Sequence, residues 1–273
     1  MSEVNLKIPM SQEDAFKLNN FVEMNLTEEK SYSKQNYIPD DVLKELTSFC
    51  SKFLDLPPNA NKKTKWFWYR RGSLERETKI QEFSKEYIEP LLPRQDVKLI
   101  GDTAFYINVP PHDVHVDARD FRADEEKKGL IGYKSVVVPL EIDTEDYPYL
   151  FTSDQYFYGP STRMRNGCET LDENDPENKR QKECGVYFSY DYNADGVKYL
   201  SNTELSHSWW KKYIDEKLVP YSTFQGISIE QAHDWKPGNV IVFDSARIHF
   251  AENLKKRGAT YKFGISLNYG IEI

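Results

Sequence analysis

The sequence has few cysteines and no long apolar run. Its three cysteines, Cys50, Cys168 and Cys184, are far apart and form no CxxC pair, so we expect neither a disulfide framework nor a thiolate metal site. No apolar run reaches the roughly 20 residues that cross a bilayer, and the N-terminal MSEVNLKIPMSQEDAF lacks the apolar core of a signal peptide. These absences predict a cytoplasmic protein that does not insert into a membrane.

Positive charge is also in short supply. The chain has 36 Lys and Arg against 44 Asp and Glu, which gives a formal net charge of −8 and an isoelectric point of about 5.3. This balance disfavours non-specific binding to nucleic acid or to an anionic membrane. The short motifs of several other enzyme classes are missing as well, because the sequence contains no GxxxxGK[ST] phosphate loop, no GxGxxG turn and no GxSxG nucleophile elbow.

The pattern that is present changes along the chain from helical to strand-like. Residues 39–58 and 73–93 carry apolar side chains at helical spacing, and Asp40 or Asp41 and Ser73 are the expected N-caps. From about residue 99 the sequence becomes rich in β-branched and aromatic residues, in KLIGDTAFYINV, GYKSVVVPLEI, WKPGNVIVFDSARIHF and ATYKFGISLNYGIEI. Helices followed by strands predict an α+β fold.

We expect a single domain over residues 1–273, mainly helical in 1–98 and rich in strands in 99–273. Within the second part, residues 142–234 are irregular, aromatic and acidic, which predicts a long insert. Loops at the mouth of a barrel often carry specificity, so several aromatic side chains of this insert are candidates for lining a substrate pocket, with ordinary packing as the alternative: Tyr156, Phe157, Tyr158, Trp209 and Trp210. Arg163 and Arg165 are candidates for contact with an anionic substrate, with an exposed loop as the alternative.

A polar cluster follows the first predicted strand, in YINVPPHDVHVDARD. Residues i and i+2 of an extended segment face the same side, so the imidazole of His115 and the carboxylate of Asp117 converge. A catalytic metal needs a third ligand, and His249, which follows a Pro-Gly turn and an apolar strand, is the candidate. Two histidines and one carboxylate on one face of an ion favour ferrous iron in oxygen-using enzymes. A solvated strand end with an unrelated core histidine is the alternative.

Together these motifs resemble the 2-oxoglutarate- and iron(II)-dependent dioxygenases of the prolyl-hydroxylase-like and phytanoyl-CoA-hydroxylase-like type. The resemblance covers roughly residues 99–270 and implies a double-stranded β-helix (jelly roll) with the N-terminal helices packed on its sheet. It implies iron(II) bound by the catalytic residues His115, Asp117 and His249, with 2-oxoglutarate and O2 as cosubstrates. The implied reaction is hydroxylation or oxidative demethylation of a C–H bond in a small molecule or a peptide or protein side chain, with decarboxylation of 2-oxoglutarate to succinate.

In this family a basic residue binds the far carboxylate of 2-oxoglutarate. The resemblance places Lys262 in that role, because it lies thirteen residues after the second histidine and inside the last predicted strand. Tyr106, nine residues before the first histidine, and Ser266 are expected to assist it. Two alternatives remain open for the same role, one in the preceding turn and one on the strand after HxD: Arg257 and Lys134.

Two functions of other classes stay open on the sequence. The chain could be a jelly-roll binding protein without turnover, or a cupin-type metal enzyme that does not use 2-oxoglutarate. A cupin enzyme of that type has no need for a buried Lys262. A simple binding protein has no need for the carboxylate of Asp117.

Overall fold

The computed structural model describes residues 30–52, 67–69, 74–108, 114–117, 129–156, 190–193, 196–199, 205–215, 221–224 and 227–272. Eleven strands lie within these ranges: β1 Tyr32–Lys34, β2 Phe67–Tyr69, β3 Lys98–Asn108, β4 Leu130–Ile142, β5 Tyr149–Tyr156, β6 Tyr190–Asn193, β7 Gly196–Tyr199, β8 Gln231–Asp234, β9 Val240–Asp244, β10 Arg247–Ala251 and β11 Lys262–Glu272. The same ranges contain three α-helices: α1 Asp40–Ser51, α2 Leu74–Phe83 and α3 His207–Tyr213.

The two predicted N-terminal helices are present, but the predicted cap of the first is wrong. Pro39 takes the N-cap position of α1 without a side-chain hydrogen bond, and Asp40 and Asp41 lie in the first turn, where negative charge is favourable beside the helix dipole. Helix α2 runs on into a π-helical turn, Ser84–Ile88, and a 3-10 turn, Glu89–Leu91. Its predicted cap, Ser73, lies outside the described residues.

Six strands form one antiparallel sheet in the order β1-β9-β4-β11-β3-β2. One face of this sheet is covered by α1 and α2, as the periodicity of these helices predicts, because their apolar stripes need a partner. Alternate residues of β11 show the packing, since they lie in one apolar cluster with side chains of both helices: Phe263, Ile265, Leu267 and Tyr269 with Leu46, Phe49, Ile80 and Phe83. The other face of β11 therefore carries Lys262, Gly264, Ser266 and Asn268.

A second antiparallel sheet has the order β10-β5-β6-β7, and β8 pairs with β5. Its outer face is packed by aromatic side chains, where Trp209 of α3 contacts Phe151 and Phe250. Its inner face meets the first sheet in a small apolar cluster of residues from both sheets and the turn after β8: Tyr106, Val137, Leu150, Trp235, Ile241 and Phe243. The fold is α+β, with two facing antiparallel sheets.

The strands differ from the sequence expectation in two places. The run VIVFDSARIH, expected as one strand, is divided between β9 in the first sheet and β10 in the second, and the chain crosses between the sheets at Ser245 and Ala246. The interval 142–234, expected as an insert, contains β5 and β8, which are strands of the second sheet. Within the described residues no helix is long and apolar enough to cross a membrane.

Candidate metal centre

The HxD segment lies beside β10. The backbone N–H of His115 donates to the carbonyl of His249 at 3.1 Å, and the N–H of His249 donates back at 2.9 Å. Two residues on, the N–H of Asp117 donates to the carbonyl of Ser245 at 2.9 Å. Directly opposed residues share a face of the sheet, so this pairing brings the two imidazoles together, with the carboxylate beside them.

The intervening apolar residues explain why the segment faces this way. Val114 and Val116 are buried in the aromatic cluster on the outer face of the second sheet, at 0% and 2% exposure. Because side chains alternate along an extended chain, burying both valines outward turns His115 and Asp117 inward. The short sequence VHVD therefore specifies the orientation of the site by its alternation alone.

The three side chains converge on one point. The Nε2 atoms of His115 and His249 lie 3.6 Å and 3.7 Å from the same oxygen, Oδ1 of Asp117. One ligand atom from each of the three residues lies within 4.8 Å of the others, and the two imidazole rings are 4.0 Å apart. These distances are too long for hydrogen bonds of good geometry, but bonds of about 2.0–2.2 Å to a shared metal ion need only small adjustments.

His249 is prepared to act as a neutral ligand. Its Nδ1 lies 3.0 Å from the backbone carbonyl of Arg247, which can only accept, so Nδ1 carries the hydrogen and Nε2 presents its lone pair to the site. Burial lowers the pKa of His249 to about 4, against a smaller opposing effect of that hydrogen bond. Metal binding requires neutral histidine, so no proton has to leave this ring near pH 7.

The side chains of the site are not equally buried. His249 is 4% exposed at its side chain, whereas His115 and Asp117 are 14% and 18% exposed. The cluster is therefore shielded from solvent on the side of β10 and accessible to solvent on the side of the HxD segment. A cluster of two imidazoles and one carboxylate with an accessible side suits a catalytic ion such as iron(II), which needs open positions.

Lys262, expected to bind 2-oxoglutarate, is the first residue of β11 and is only 2% exposed. Its ammonium lies 5.1 Å from the centre of the Trp235 ring, and it forms no ion pair with any residue that the structure describes. Burial lowers the pKa of Lys262 to about 7, and the more distant carboxylate of Glu252 opposes this shift only weakly. A buried lysine without a partner is costly, and an anion would relieve that cost.

The two assisting residues lie on the same face as Lys262. Tyr106 is opposite Gly264 in the pairing of β3 with β11, and Ser266 is two residues further along β11. Burial raises the pKa of the Tyr106 phenol well above its usual range, and the negative charge of Asp117 adds to the shift. The Tyr106 hydroxyl is therefore close enough to Asp117 to be affected by its charge, and it shares a face with Lys262.

The alternatives to Lys262 are both neutralised by carboxylates. Lys134 lies on β4 opposite Tyr269, so it points toward the helix-covered face, and its Nζ lies 2.6 Å from Asp244. Arg257 lies in the 3-10 turn Leu254–Arg257, where it binds Glu252 at 2.9 Å and Asp146 at 3.0 Å. Neither is brought together with Tyr106 and Lys262.

Of the aromatic and basic residues predicted to contact substrate, Trp209 packs against Phe151 and Phe250 on the outer face of the second sheet. Trp210 lies on α3 near His207. The side chain of Tyr156 and the residues Phe157, Tyr158, Arg163 and Arg165 lie outside what is described. Trp235, whose ring lies beside Lys262, is not among the residues predicted for the site, because its place just before KPGN carries no local signal for such a role.

Comparisons with known proteins give remote similarities. No known family and no curated protein matches the sequence. Among solved structures, the non-heme alpha ketoglutarate dependent carbocyclase SnoK from nogalamycin biosynthesis is 11% identical, with a TM-score of 0.49 over 96% of this chain and 85% of its own. A Pseudomonas putida prolyl-4-hydroxylase is 14% identical, with a TM-score of 0.40 over 94% and 100%. EctD from S. alaskensis, solved with 2-oxoglutarate and 5-hydroxyectoine, is 13% identical, with a TM-score of 0.44 over 99% and 79%.

Proposed function

We propose that this protein is an iron(II)- and 2-oxoglutarate-dependent dioxygenase built on a double-stranded β-helix. It hydroxylates or oxidatively demethylates a C–H bond of a small molecule or of a peptide or protein side chain. The observation that carries the proposal is the cluster of His115, Asp117 and His249, with ligand atoms within 4.8 Å. The same molecule has a buried cation, Lys262, that forms no ion pair within the described part of the chain.

The arrangement of strands supports this choice of fold. Two antiparallel sheets face each other, and β9 and β10, adjacent in sequence, belong to different sheets. Chain crossings of this kind are what a double-stranded β-helix requires, because successive strands alternate between its two sheets. The cluster of possible ligands lies at one of these crossings, since the N–H of Asp117 binds the carbonyl of Ser245.

Lys262 separates the proposal from a metal enzyme that needs no dicarboxylate. A buried ammonium without a counter-charge costs free energy in the folded protein, and among the described residues Lys262 has the Trp235 ring at 5.1 Å but no carboxylate within ion-pairing distance. Lys134 and Arg257 have such carboxylates at 2.6 Å and 2.9 Å. The charge of Lys262 is thus the one, among these three, that remains for an incoming anion.

Each residue has a distinct task in this proposal. Bound iron(II) and 2-oxoglutarate would supply the oxidation of the substrate C–H bond by O2, coupled to decarboxylation of 2-oxoglutarate to succinate. His115, Asp117 and His249 would hold the ion on one face and leave the accessible side for cosubstrate and substrate. Lys262, with Tyr106 and Ser266, would fix the far end of 2-oxoglutarate. The carbonyl of Arg247 keeps the Nε2 lone pair of His249 directed at the metal.

The test is formation of succinate. Purified protein is given iron(II) and 2-oxoglutarate without oxygen, and air is then admitted. We expect the native chain to form succinate. In His115→Ala, succinate formation should fall by more than the roughly 10–100-fold that removal of an outer-shell partner of a metal ligand causes. His207→Ala is the matched control, because His207 lies exposed on α3. Equal succinate from native and His115→Ala protein would contradict the proposal.

A further inference from the structure

Trp235 is held in a fixed place between the two sheets. It directly follows β8, its backbone N–H donates to the carbonyl of Pro148 at 2.8 Å, and its side chain has no exposed surface. The ring belongs to the apolar cluster that joins the sheets, with Leu150, Ile241 and Phe243 among its neighbours. A ring packed this closely keeps one orientation, so the direction of its N–H is a constant feature of the interior.

The indole N–H of Trp235 is a buried donor without a regular acceptor. Nε1 is shielded from solvent and makes no hydrogen bond of good geometry with any residue that the structure describes. It does lie near the Tyr106 hydroxyl, and this contact lowers the pKa of Tyr106 against the larger effect of burial. Buried N–H groups in folded proteins almost always have an acceptor, so this donor points to a group that binds between the sheets.

Gly264 lets the indole and the phenol approach β11. A Cβ at this position would lie 2.8 Å from Cζ2 of Trp235 and 2.9 Å from the hydroxyl of Tyr106, which is closer than real Cβ atoms come to other atoms. Cζ2 is bonded to the ring carbon that carries Nε1, so the edge of the indole bearing the N–H faces β11. The polar edges of both rings therefore meet at Gly264, two residues along the strand from Lys262.

Three kinds of donor thus surround one small region. The ammonium of Lys262 lies 5.1 Å from the centre of the Trp235 ring, and the Tyr106 hydroxyl and Trp235 N–H lie at the neighbouring Gly264. An ionised carboxylate accepts up to about four hydrogen bonds through its two oxygens. One cation and two neutral donors match a carboxylate in both charge and hydrogen-bonding capacity.

We propose that Trp235 is a cosubstrate-binding residue whose indole N–H donates a hydrogen bond to the far carboxylate of 2-oxoglutarate, the group that Lys262 binds, and that Gly264 provides the space for it. The role of Trp235 rests on the proposed function and adds to it a specificity for a dicarboxylate over a monocarboxylate. No proton or bond is transferred by Trp235; it contributes binding and orientation only.

The test compares two 2-oxo acids that differ only at the far end. Protein loaded with manganese(II) in place of iron is titrated calorimetrically with 2-oxoglutarate and with 2-oxopentanoate, which lacks the far carboxylate. In Trp235→Phe, we expect 2-oxoglutarate to bind about tenfold to a hundredfold more weakly, as for loss of a hydrogen bond to a charged group. The affinities for manganese(II) and 2-oxopentanoate should stay within about threefold, because neither contacts the N–H.

Trp209→Phe is the matched control, because it removes an indole from the outer face of the second sheet and should leave both affinities unchanged. Gly264→Ala is the second variant, used if Trp235→Phe yields no folded protein. It displaces the polar edges of both rings and should therefore show the same selective loss of affinity for 2-oxoglutarate. An equal loss for the two acids, or no loss for either, would overturn the role of Trp235. Failure of the native protein to bind 2-oxoglutarate at all would instead overturn the proposed function.

Discussion

Lys262 and Lys134 are both almost completely buried, at 2% and 1% exposure, but only one has a counter-charge at hand. Lys134 lies 2.6 Å from Asp244, whereas Lys262 has no ion-pair partner among the described residues and contacts the Trp235 ring. A paired buried charge is stabilised by its partner, and an unpaired one is not. The same substitution should therefore act in opposite directions at these two lysines.

We expect Lys262→Met to stabilise the cosubstrate-free protein and Lys134→Met to destabilise it. The first removes an uncompensated charge with little change in volume, so the free energy of unfolding should rise by about 1 kcal/mol or more at pH 6. The second removes the cation closest to the carboxylate of Asp244. We expect it to lower the free energy of unfolding by about 3 kcal/mol, at the low end for such changes, because Arg247 still contacts that carboxylate. Urea unfolding of the two variants beside the native protein measures both effects.

The gain in Lys262→Met should also depend on pH. The pKa of Lys262 is about 7 in the folded protein, below its ordinary 10.5, so the unfolded chain binds more protons between these values. The stability of the native protein therefore rises with pH across this window, and the advantage of Lys262→Met should be full below pH 7 and shrink toward pH 10. An advantage that grows with pH would show that an unseen anionic group already compensates Lys262.

Individual residues of the candidate site could be predicted from the sequence where their spacing and their chemistry indicate the same role. The i, i+2 relation places His115 and Asp117 on one face in any extended segment, and His249 follows a recognisable Pro-Gly strand. Lys262 was favoured over Arg257 by its place in a strand rather than a turn; in the structure Lys262 lies against the Trp235 ring and Arg257 pairs with Glu252. Trp235 had no such signal, because it reaches β11 only through the packing of the two sheets.

Among the secondary-structure elements, the crossing between β9 and β10 matters most for the site. Ser245 and Ala246 are each 1% exposed. The N–H of Ser245 donates to Tyr133 on β4 at 3.1 Å, and its carbonyl accepts from Asp117 at 2.9 Å. One residue thus ties the six-stranded sheet to the HxD segment, and the backbone alone makes both bonds.

Proline at this crossing should therefore damage the site without touching a ligand. Ser245→Pro removes the N–H that donates to the carbonyl of Tyr133, and the loss of this buried hydrogen bond costs about 1–3 kcal/mol. We expect its affinity for manganese(II) to fall by about tenfold or more, since shifts around ligands commonly cost that much. Ser245→Ala is the control, because the Ser245 hydroxyl has no hydrogen-bond partner among the residues described. The same affinity in both variants would show that the crossing does not position Asp117.

The elements that the sequence predicted well are those with a local cause. Helices α1 and α2 have apolar stripes, and β3 and β4 are dense in β-branched and aromatic residues. The division of VIVFDSARIH into two strands has only a weak local cause, because Asp244 and Ser245 are residue types common in turns but are buried like the apolar residues on either side of them. Strand β5 was not predicted for a different reason. The sequence of Tyr149–Tyr156 is compatible with a strand, but the irregular sequence after it led to its assignment to an insert.

Across the whole molecule, the candidate ligands lie where separate parts of the chain meet. His249 belongs to β10 in the second sheet, while His115 and Asp117 come from a segment that is joined to β10 by a short run of backbone hydrogen bonds. Lys262 begins β11 in the first sheet. A metal ion would therefore connect the HxD segment to β10, and a 2-oxo acid reaching from the metal to Lys262 would connect the two sheets.

This geometry predicts an order in which ligands stabilise the fold. Binding to the folded state alone adds RT ln(1 + [L]/Kd), which is about 2.7 kcal/mol at a concentration 100 times Kd. Manganese(II) alone should raise the thermal midpoint by several degrees, and 2-oxoglutarate should add to this only when the metal is present, because one end of it binds the ion. Differential scanning fluorimetry of the protein with neither ligand, with manganese(II), with 2-oxoglutarate and with both measures how far the two stabilising effects depend on each other. His249→Ala should abolish both shifts, whereas Lys262→Met should abolish only the shift caused by 2-oxoglutarate. If 2-oxoglutarate stabilised the protein equally with and without the metal, its binding site would lie elsewhere.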